Sequence, residues 1–190
     1  MKVNKTKILF VVAGLVIGLG GRSVLALPQG AEVEHGTVSV DAAADGALQV
    51  TASDQAIVHW HSFDIAPGEQ VRFLQPASTA TVLNRVVGGQ ASQIAGQLLA
   101  NGILFLINPA GINFASSAVV QVGGLIASSL DLPNHAFLNR QYQFLQPEGV
   151  PPAAVINHGT LSTNAPGGLI ALLGGAVANH GTITARLGYS

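Results

Sequence analysis

Two histidines are the first candidates for chemistry in this sequence, because imidazole binds metals and transfers protons near neutral pH. His59 and His61 flank Trp60 in an apolar segment, and residues two apart on a strand face the same side. Two imidazoles on one face could bind a metal ion, but zinc sites need a third protein ligand, and no nearby cluster supplies one. We therefore interpret the pair as a polar strand face and predict no metal site.

Carboxylates are the second set of candidates, because paired Asp and Glu residues hydrolyse polysaccharides by acid–base catalysis. Here they are scattered ahead of the best-patterned part of the chain: Asp41, Asp45, Asp54, Asp64 and Glu69. No Ser-His-Asp order, phosphate loop or metal-ligand spacing stands out. The sequence therefore predicts no enzymatic activity and no cofactor. A secreted β-helix enzyme acting on polysaccharide is the alternative, and it would need several carboxylates within about 10 Å of one another in a cleft.

The elements that would position such residues are short strands. Between residues 84 and 130, apolar runs of three to five residues are cut at short intervals by Gly, Asn and Pro. Runs of that length are typical of strands, and the residues between them are turn formers. The chain leaves no room for a long helix, so we predict an all-β fold.

Internal repeats indicate how the strands are arranged. Asn157–Leu161 recurs as Asn179–Ile183, an offset of 179 − 157 = 22 residues, and Gly123–Ala127 recurs as Gly167–Ala171. A period near 20 residues with Gly and Asn at the corners is typical of a β-solenoid. Coils of such a solenoid stack about 4.8 Å apart, and right-handed winding is the default for parallel connections.

The repeats predict specific neighbours on adjacent coils. We expect Leu125 to stack near Leu169 and Ile126 near Ile170. His158 and His180 occupy equivalent repeat positions, so we expect them to stack at a corner. That regularity belongs to the solenoid and does not indicate a site.

A four-residue corner, Asn108-Pro109-Ala110-Gly111, follows the most apolar strand. Asn at the first position of a turn can bond its own backbone two residues on, Pro presets φ at the second position, and Gly suits the fourth. We predict that this segment forms a tight turn capped by the Asn108 side chain, and that Ala110 is tolerated because the third position of a type I turn needs no positive φ.

One segment interrupts the repeats. Residues 131–152 contain four prolines and the aromatic residues Phe137, Tyr142 and Phe144. We interpret this segment as an excursion from the solenoid, a hairpin whose aromatic side chains lie against the solenoid flank. A disordered loop is the other interpretation, but three aromatic residues in so short a segment disfavour it.

The motifs between residues 84 and 128 also carry a family resemblance. They are NRVVGG at 84–89, SQI at 92–94, NGILFLINP at 101–109 and VGGLIAS at 122–128. In this order they resemble the amino-terminal secretion domain of two-partner-secretion (TPS) exoproteins, the family of filamentous haemagglutinin and the high-molecular-weight adhesins. The family's corner usually has Asn where this chain has Ala110.

That resemblance implies a right-handed parallel β-helix with an amino-terminal cap and an extra-helical hairpin. It also implies a secretion-targeting domain that is recognised by an outer-membrane β-barrel transporter with POTRA domains. The turn of Asn108, Pro109, Ala110 and Gly111 is the candidate for transporter recognition. Family members often adhere to host cells or to other bacteria, so a plain adhesive β-solenoid is a further alternative.

The amino terminus predicts export. Three lysines precede an uncharged run from Ile8 to Gly21, and Ala26 ends a stretch of small or compact residues. These features are typical of a signal peptide over residues 1–26, cleaved after Ala26, and leave residues 27–190 as the secretion domain. The run is shorter than the ~20 residues that span a bilayer, which disfavours a membrane anchor. We expect secretion to the medium or cell surface of a Gram-negative-type bacterium.

The charge that remains excludes some partners. Only 9% of the residues are charged, against about 25% in ordinary domains. After cleavage the chain would keep four Arg against nine Asp and Glu, a net charge of 4 − 9 = −5. Four scattered arginines cannot build a basic patch, so nucleic acid is not an expected partner. The chain has no Cys, so its stability must come from the core and the strand ladders.

Overall fold

The computed structural model describes residues 26–43, 46–164 and 167–186. They form 17 strands and one short helix, which confirms the predicted all-β class. The strands are β1 (Glu32–His35), β2 (Val38–Ala43), β3 (Ala47–Ala52), β4 (Ala56–Trp60), β5 (Gln70–Leu74), β6 (Thr81–Val86), β7 (Ser92–Ile94), β8 (Gln97–Ala100), β9 (Ile103–Ile107), β10 (Ile112–Phe114), β11 (Val119–Val122), β12 (Gly124–Ser128), β13 (Ala154–Asn157), β14 (Thr160–Thr163), β15 (Ile170–Leu173), β16 (Ala176–Asn179) and β17 (Thr182–Thr184). The helix is α1 (Asn134–Leu138).

The strands form three sheets that wind into a parallel solenoid of about six turns. Sheet 1 has the order β1-β4-β6-β9-β12-β15, sheet 2 the order β16-β13-β10-β7, and sheet 3 the order β17-β14-β11-β8-β5-β3-β2. Each full coil passes through sheets 1, 2 and 3 in turn. Neighbouring strands in a sheet come from successive coils, so the crossover between two parallel neighbours consists of the strands and corners of the other two sheets.

The interior is filled by ladders of aliphatic side chains in register. On sheet 3 one ladder joins a single inward position of six successive strands: Leu48, Val71, Leu98, Val120, Leu161 and Ile183. All but the last of these side chains are buried. Alternate residues of β5 and β11 face outward, because successive side chains of a strand point to opposite faces.

The predicted amino-terminal cap is present. Strand β1 pairs antiparallel with β4, and β2 pairs antiparallel with β3, while the coils behind them pair in parallel. These two antiparallel strands cover the first edges of sheets 1 and 3. An edge strand covered in this way cannot template pairing with another chain.

One repeat has the spacing that the sequence predicts. Asn157 pairs with Asn179 and Thr160 with Thr182, so the offset of 22 residues is the true length of that coil. The rings of His158 and His180 stack with their centroids 4.9 Å apart and their planes 18° from parallel. The predicted histidine stack is therefore confirmed.

The other repeat lies on adjacent coils as predicted, but its register was predicted wrongly by one residue. Leu125 pairs with Ile170 and Ile126 with Ala171, whereas Leu169 is 61% exposed. The reason is the turn before β15: Gly167 takes a φ of +75° there, so Gly168 is the residue that lies over Gly123. A slip of one residue exchanges the two faces of a strand, and the buried ladder selects the observed register.

The excursion at residues 131–152 leaves the solenoid between β12 and β13. Its first residue, Asp131, and Leu145 exchange two backbone hydrogen bonds of 2.8 Å in an antiparallel bridge. Between them the chain forms α1, so a single turn of helix takes the place of a regular strand pair. Pro133 immediately precedes this helix, where its missing N–H costs nothing.

The predicted signal peptide lies outside the described residues, apart from Ala26. Asp45 among the candidate carboxylates also lies outside them. No helix within residues 26–43, 46–164 and 167–186 is long and apolar enough to cross a membrane.

Candidate recognition site

The turn from Asn108 to Gly111 connects sheet 1 to sheet 2. The Gly111 N–H donates to the Asn108 carbonyl at 2.9 Å, which closes a four-residue turn. Within it the Ala110 N–H donates to Asn108 Oδ1 at 2.9 Å, so the side chain mimics one more turn of backbone. The predicted cap by Asn108 is therefore observed.

Asn108 also fastens the turn to the preceding coil. Its Nδ2 donates to the Gln90 carbonyl at 2.9 Å and to Ser92 Oγ at 3.0 Å. The side chain is only 1% exposed, and both sides of its amide are satisfied. A buried amide with all its bonds made is costly to replace, because truncation leaves its former partners unsatisfied.

The other three residues of the turn divide into one packed and two accessible positions. Gly111 is buried with φ +107°, and a Cβ there would lie 2.9 Å from the Ala154 carbonyl of the next coil. Pro109 and Ala110 are half-buried. The surface that this turn offers to a partner is therefore a small apolar one, made by Pro109 and Ala110.

The outer face of sheet 1 next to this turn is apolar and covered by the excursion. Ile57, Leu83, Phe105, Ile107 and Ile126 point outward from successive strands and are buried under Leu132, Ala136 and Phe137. The Phe137 ring meets the Phe105 ring edge-on, with the ring centroids 5.3 Å apart. The ring centroid of Tyr142 lies 4.9 Å from that of Phe105. The expectation that the aromatic side chains of the excursion lie against the flank is confirmed for these residues.

A half-buried arginine fixes the beginning of the excursion. Arg85 Nε donates to Asp131 Oδ1 at 2.9 Å, and its Nη1 donates to Asn134 Oδ1 at 2.6 Å. Its Nη2 donates to the Leu132 carbonyl. The planar guanidinium group of Arg85 thus donates to three acceptors at the start of the excursion, on Asp131, Leu132 and Asn134. A lysine ammonium group could not reproduce this planar arrangement of donors.

His59 is part of the same network. Its Nε2 lies 2.9 Å from Arg85 Nη1, and its Nδ1 lies 3.9 Å from the Glu34 carboxylate. Burial and the neighbouring Arg85 charge lower the pKa of His59, although Glu34, Glu32 and Asp131 act in the opposite direction. The neutral imidazole can accept from Arg85, so His59 orients the arginine.

His61 does not join His59. It lies beyond the end of β4, where its N–H donates to the Gln29 carbonyl at 2.9 Å. Its Cβ packs against Gly30 and its ring approaches Gly88. The structure therefore places the two histidines in separate environments, one beside an arginine and one beside two glycines.

A second anchor holds the far end of the helix. Asp54 accepts from the Thr81 N–H at 2.8 Å and from Arg140 at 3.1 Å, and Gln55 Nε2 donates to the Leu138 carbonyl at 2.8 Å. Burial raises the pKa of Asp54, but hydrogen bonds from Thr81 and Gln55, together with Arg140, outweigh that effect and hold it below the ordinary value. The excursion is thus fastened at both ends of α1.

The candidate carboxylates serve structural roles. Asp64 accepts from the Gln93 N–H at 2.7 Å, Asp54 caps Thr81, and Glu69 accepts two backbone N–H groups. In the part of the chain that the structure describes, no group of three or more His, Cys, Asp or Glu residues could hold a metal ion. Each of these carboxylates stabilises a different turn.

Comparison with known proteins decides the family. The family model for the TPS secretion domain matches residues 26–187. This chain belongs to the TPS secretion domain family.

A solved relative agrees with that assignment. The TPS domain described here superposes on the crystal structure of the HMW1 secretion domain from Haemophilus influenzae with a TM-score of 0.80 and 36% sequence identity. The match covers 83% of this chain and 42% of that one. The predicted β-helix is therefore shared with a solved TPS domain.

Two curated relatives match part of the chain. The heme/hemopexin-binding protein of Haemophilus influenzae is 41% identical over 118 residues, 62% of this chain and 13% of the relative. The same protein from strain KW20 / Rd is 40% identical over 106 residues, 56% of this chain and 12% of the relative. The matched segment therefore spans about an eighth of the length of these much longer proteins.

The Arg85 network of this TPS domain was not predicted from the sequence. Its partners lie 46 to 49 residues away in sequence, and no repeat or motif connects them. A signal did exist: Arg85 is the one charged residue of its strand, in a chain with few charges, and a partly buried charge needs partners.

Proposed function

We propose that this TPS domain directs an exoprotein to a dedicated outer-membrane transporter, a β-barrel with periplasmic POTRA domains. The observation that carries the proposal is the agreement of sequence and structure with TPS secretion domains over nearly the whole described chain. In two-partner secretion the transporter must select one exoprotein, and the secretion domain is the part of the exoprotein that it selects.

We further propose that the Asn108 turn takes part in this selection. It is rigid, because Asn108 is bonded both within the turn and to the preceding coil, and it presents Pro109 and Ala110 at a corner. A preorganised surface binds with a smaller entropy cost than a flexible one. The turn also links two strands, so its formation favours the stacking of one coil on the next.

The proposed route begins with cleavage of the signal peptide after Ala26 and ends outside the outer membrane of a Gram-negative bacterium. The exoprotein would then act as an adhesin of the filamentous-haemagglutinin kind or bind a ligand of host or bacterial origin. The curated relatives are heme/hemopexin-binding proteins, which supports a ligand-binding exoprotein equally well. In either case that activity would reside in other parts of the exoprotein.

Secretion with and without the transporter tests this function. The chain with its signal peptide is expressed in a Gram-negative host, alone and together with a two-partner-secretion transporter from the same source. We expect the domain in the culture medium only when the transporter is present, and in the periplasm otherwise. Equal release in both strains would contradict the proposal and favour the plain adhesive solenoid. Hydrolase or lyase activity of the purified protein on polysaccharide would favour the enzyme.

A further inference from the structure

A buried carboxylate lies where the mature chain would begin. Glu69 is 5% exposed. Its Oε2 accepts from the Ala66 N–H at 2.7 Å, and its Oε1 accepts from the Ala26 N–H at 2.9 Å. In the described part of the chain, no Lys, Arg or His side chain lies within 4.0 Å of this carboxylate. A buried charge without a cation is costly unless something compensates it.

The segment after Ala26 is held firmly beside Glu69. Leu27 packs against the main core, and Pro28 is buried. The Gln29 N–H donates to the Ser62 carbonyl at 3.0 Å. A chain that started at Leu27 would therefore have its first residue seated next to the carboxylate.

Cleavage after Ala26 changes the chemistry at this position. Hydrolysis of the Ala26–Leu27 peptide bond by one water molecule releases Ala26 with a new carboxylate and leaves an amine on Leu27. An α-amine has a pKa of about 7.7–8.0, so it takes up a proton at neutral pH. Glu69 Oε1 loses the N–H of Ala26, and an ammonium group with three N–H donors appears one residue along, about 3.8 Å of chain away.

We propose that Glu69 is the binding site for the α-ammonium group of the mature chain, and that this ion pair stabilises the mature domain specifically. The proposal rests on the cleavage after Ala26 that belongs to the proposed function. A charged hydrogen bond in a buried site is roughly twice as strong as a neutral one. Processing by signal peptidase would thus favour folding of the cap against the first coils.

Four matched proteins test the ion pair. A chain beginning at Leu27 is prepared by removing a leader that ends immediately before it, and half is acetylated at the new amine. The same pair is made with Glu69→Gln. At pH 6.5 we expect acetylation to lower the melting temperature by about 5 °C when Glu69 is present. In the Glu69→Gln protein we expect acetylation to change it by less than about 1 °C.

The pH dependence gives a second readout that needs no substitution at Glu69. Pairing raises the pKa of the folded amine above its unfolded value, so the stabilisation is present below about pH 7.7 and is lost as pH rises through the folded pKa. The melting temperatures of the free and acetylated chains should therefore converge by about pH 9.5. Other titratable or charged side chains on the segments packed around Glu69 are His61, Asp64 and Arg72, and they are identical in both chains.

Two results would overturn the ion pair. Equal melting temperatures of the free and acetylated chains at pH 6.5, or the same acetylation effect with Glu69→Gln, would show that Glu69 does not bind the amine. Sequencing of the exported protein tests the premise, because an amino terminus other than Leu27 also rules the proposal out. None of these measurements involves the transporter, so each can fail while transporter-dependent secretion is observed.

Discussion

Replacing Asn108 by Ala removes three hydrogen bonds from the turn between sheets 1 and 2. The lost contacts run to the Ala110 N–H, the Gln90 carbonyl and Ser92 Oγ. Gln90 is exposed and its carbonyl can bind water instead, whereas Ser92 is buried. Counting about 1 kcal/mol for each of the two less accessible partners and up to 1 for the small cavity, we expect a loss of about 2–3 kcal/mol in unfolding free energy.

Two matched variants separate capping from surface recognition. Asn108→Asp keeps an oxygen for the Ala110 N–H but places a second oxygen against the Gln90 carbonyl, so we expect it to destabilise at least as much as Asn108→Ala. Ala110→Asn changes a half-buried position whose φ is not positive, and surface changes of that kind usually stay within about 0.5 kcal/mol.

Urea denaturation of the purified domains measures the stabilities, and the secreted fraction with the partner transporter measures the function. We expect Asn108→Ala to lower both and Ala110→Asn to leave both near the wild-type values. Normal stability and secretion of Asn108→Ala, combined with a sharp change of secretion in Ala110→Asn, would refute the capping argument. Recognition would then depend on the side chain at the third position of the turn and not on the rigidity that the Asn108 cap provides.

Three further predictions concern the excursion. Arg85→Met should lower the free energy of unfolding by about 2 kcal/mol and the melting temperature by roughly 6 °C. Thermolysin should then cleave faster between residues 131 and 152. Unchanged cleavage would show that the arginine does not fix the segment. Phe137→Ala should lower the free energy of unfolding by about 3 kcal/mol, because the ring is fully buried. Tyr142 is 41% exposed, so Tyr142→Phe should change stability by less than about 0.5 kcal/mol. Equal losses in the two variants would contradict the packing. Because the pKa of folded His59 is lowered, its contribution to folding stability is present above about pH 6.5 and is lost as pH falls. His59→Gln should therefore flatten the decline of the urea midpoint between pH 7 and pH 5. An unchanged slope would assign that decline to other groups.

Much of the solenoid could be predicted from the repeats, because a coil of constant length preserves its offset. The segments around His158 and His180 show this: their 22-residue spacing is the coil length, and their rings stack. The Gly-Gly-Leu-Ile-Ala repeat misled by one residue, because Gly167 is used in a turn that its counterpart Gly123 does not make. The pairing register of the two strands depends on which of the two glycines lies in the turn, and the motif alone does not show this.

The turn and the excursion differ in how far the sequence could specify them. The cap by Asn108 is local, since its acceptor and donor lie two residues apart, and turn chemistry predicts it. Its bonds to Gln90 and Ser92 cross to another coil and could not be predicted without the register. The helix within the excursion and its anchoring by Arg85 depend on contacts made across the outer face of sheet 1, which no pattern within either segment encodes.

Binding of the purified domain to its transporter tests the central claim most directly. The mature chain is titrated by calorimetry into the isolated POTRA region of the partner transporter, with Asn108→Ala titrated alongside. We predict saturable binding of the wild-type domain and weaker binding of the variant. Absence of binding to the POTRA region and to the complete transporter alike would contradict the claim that this domain is recognised by an outer-membrane partner.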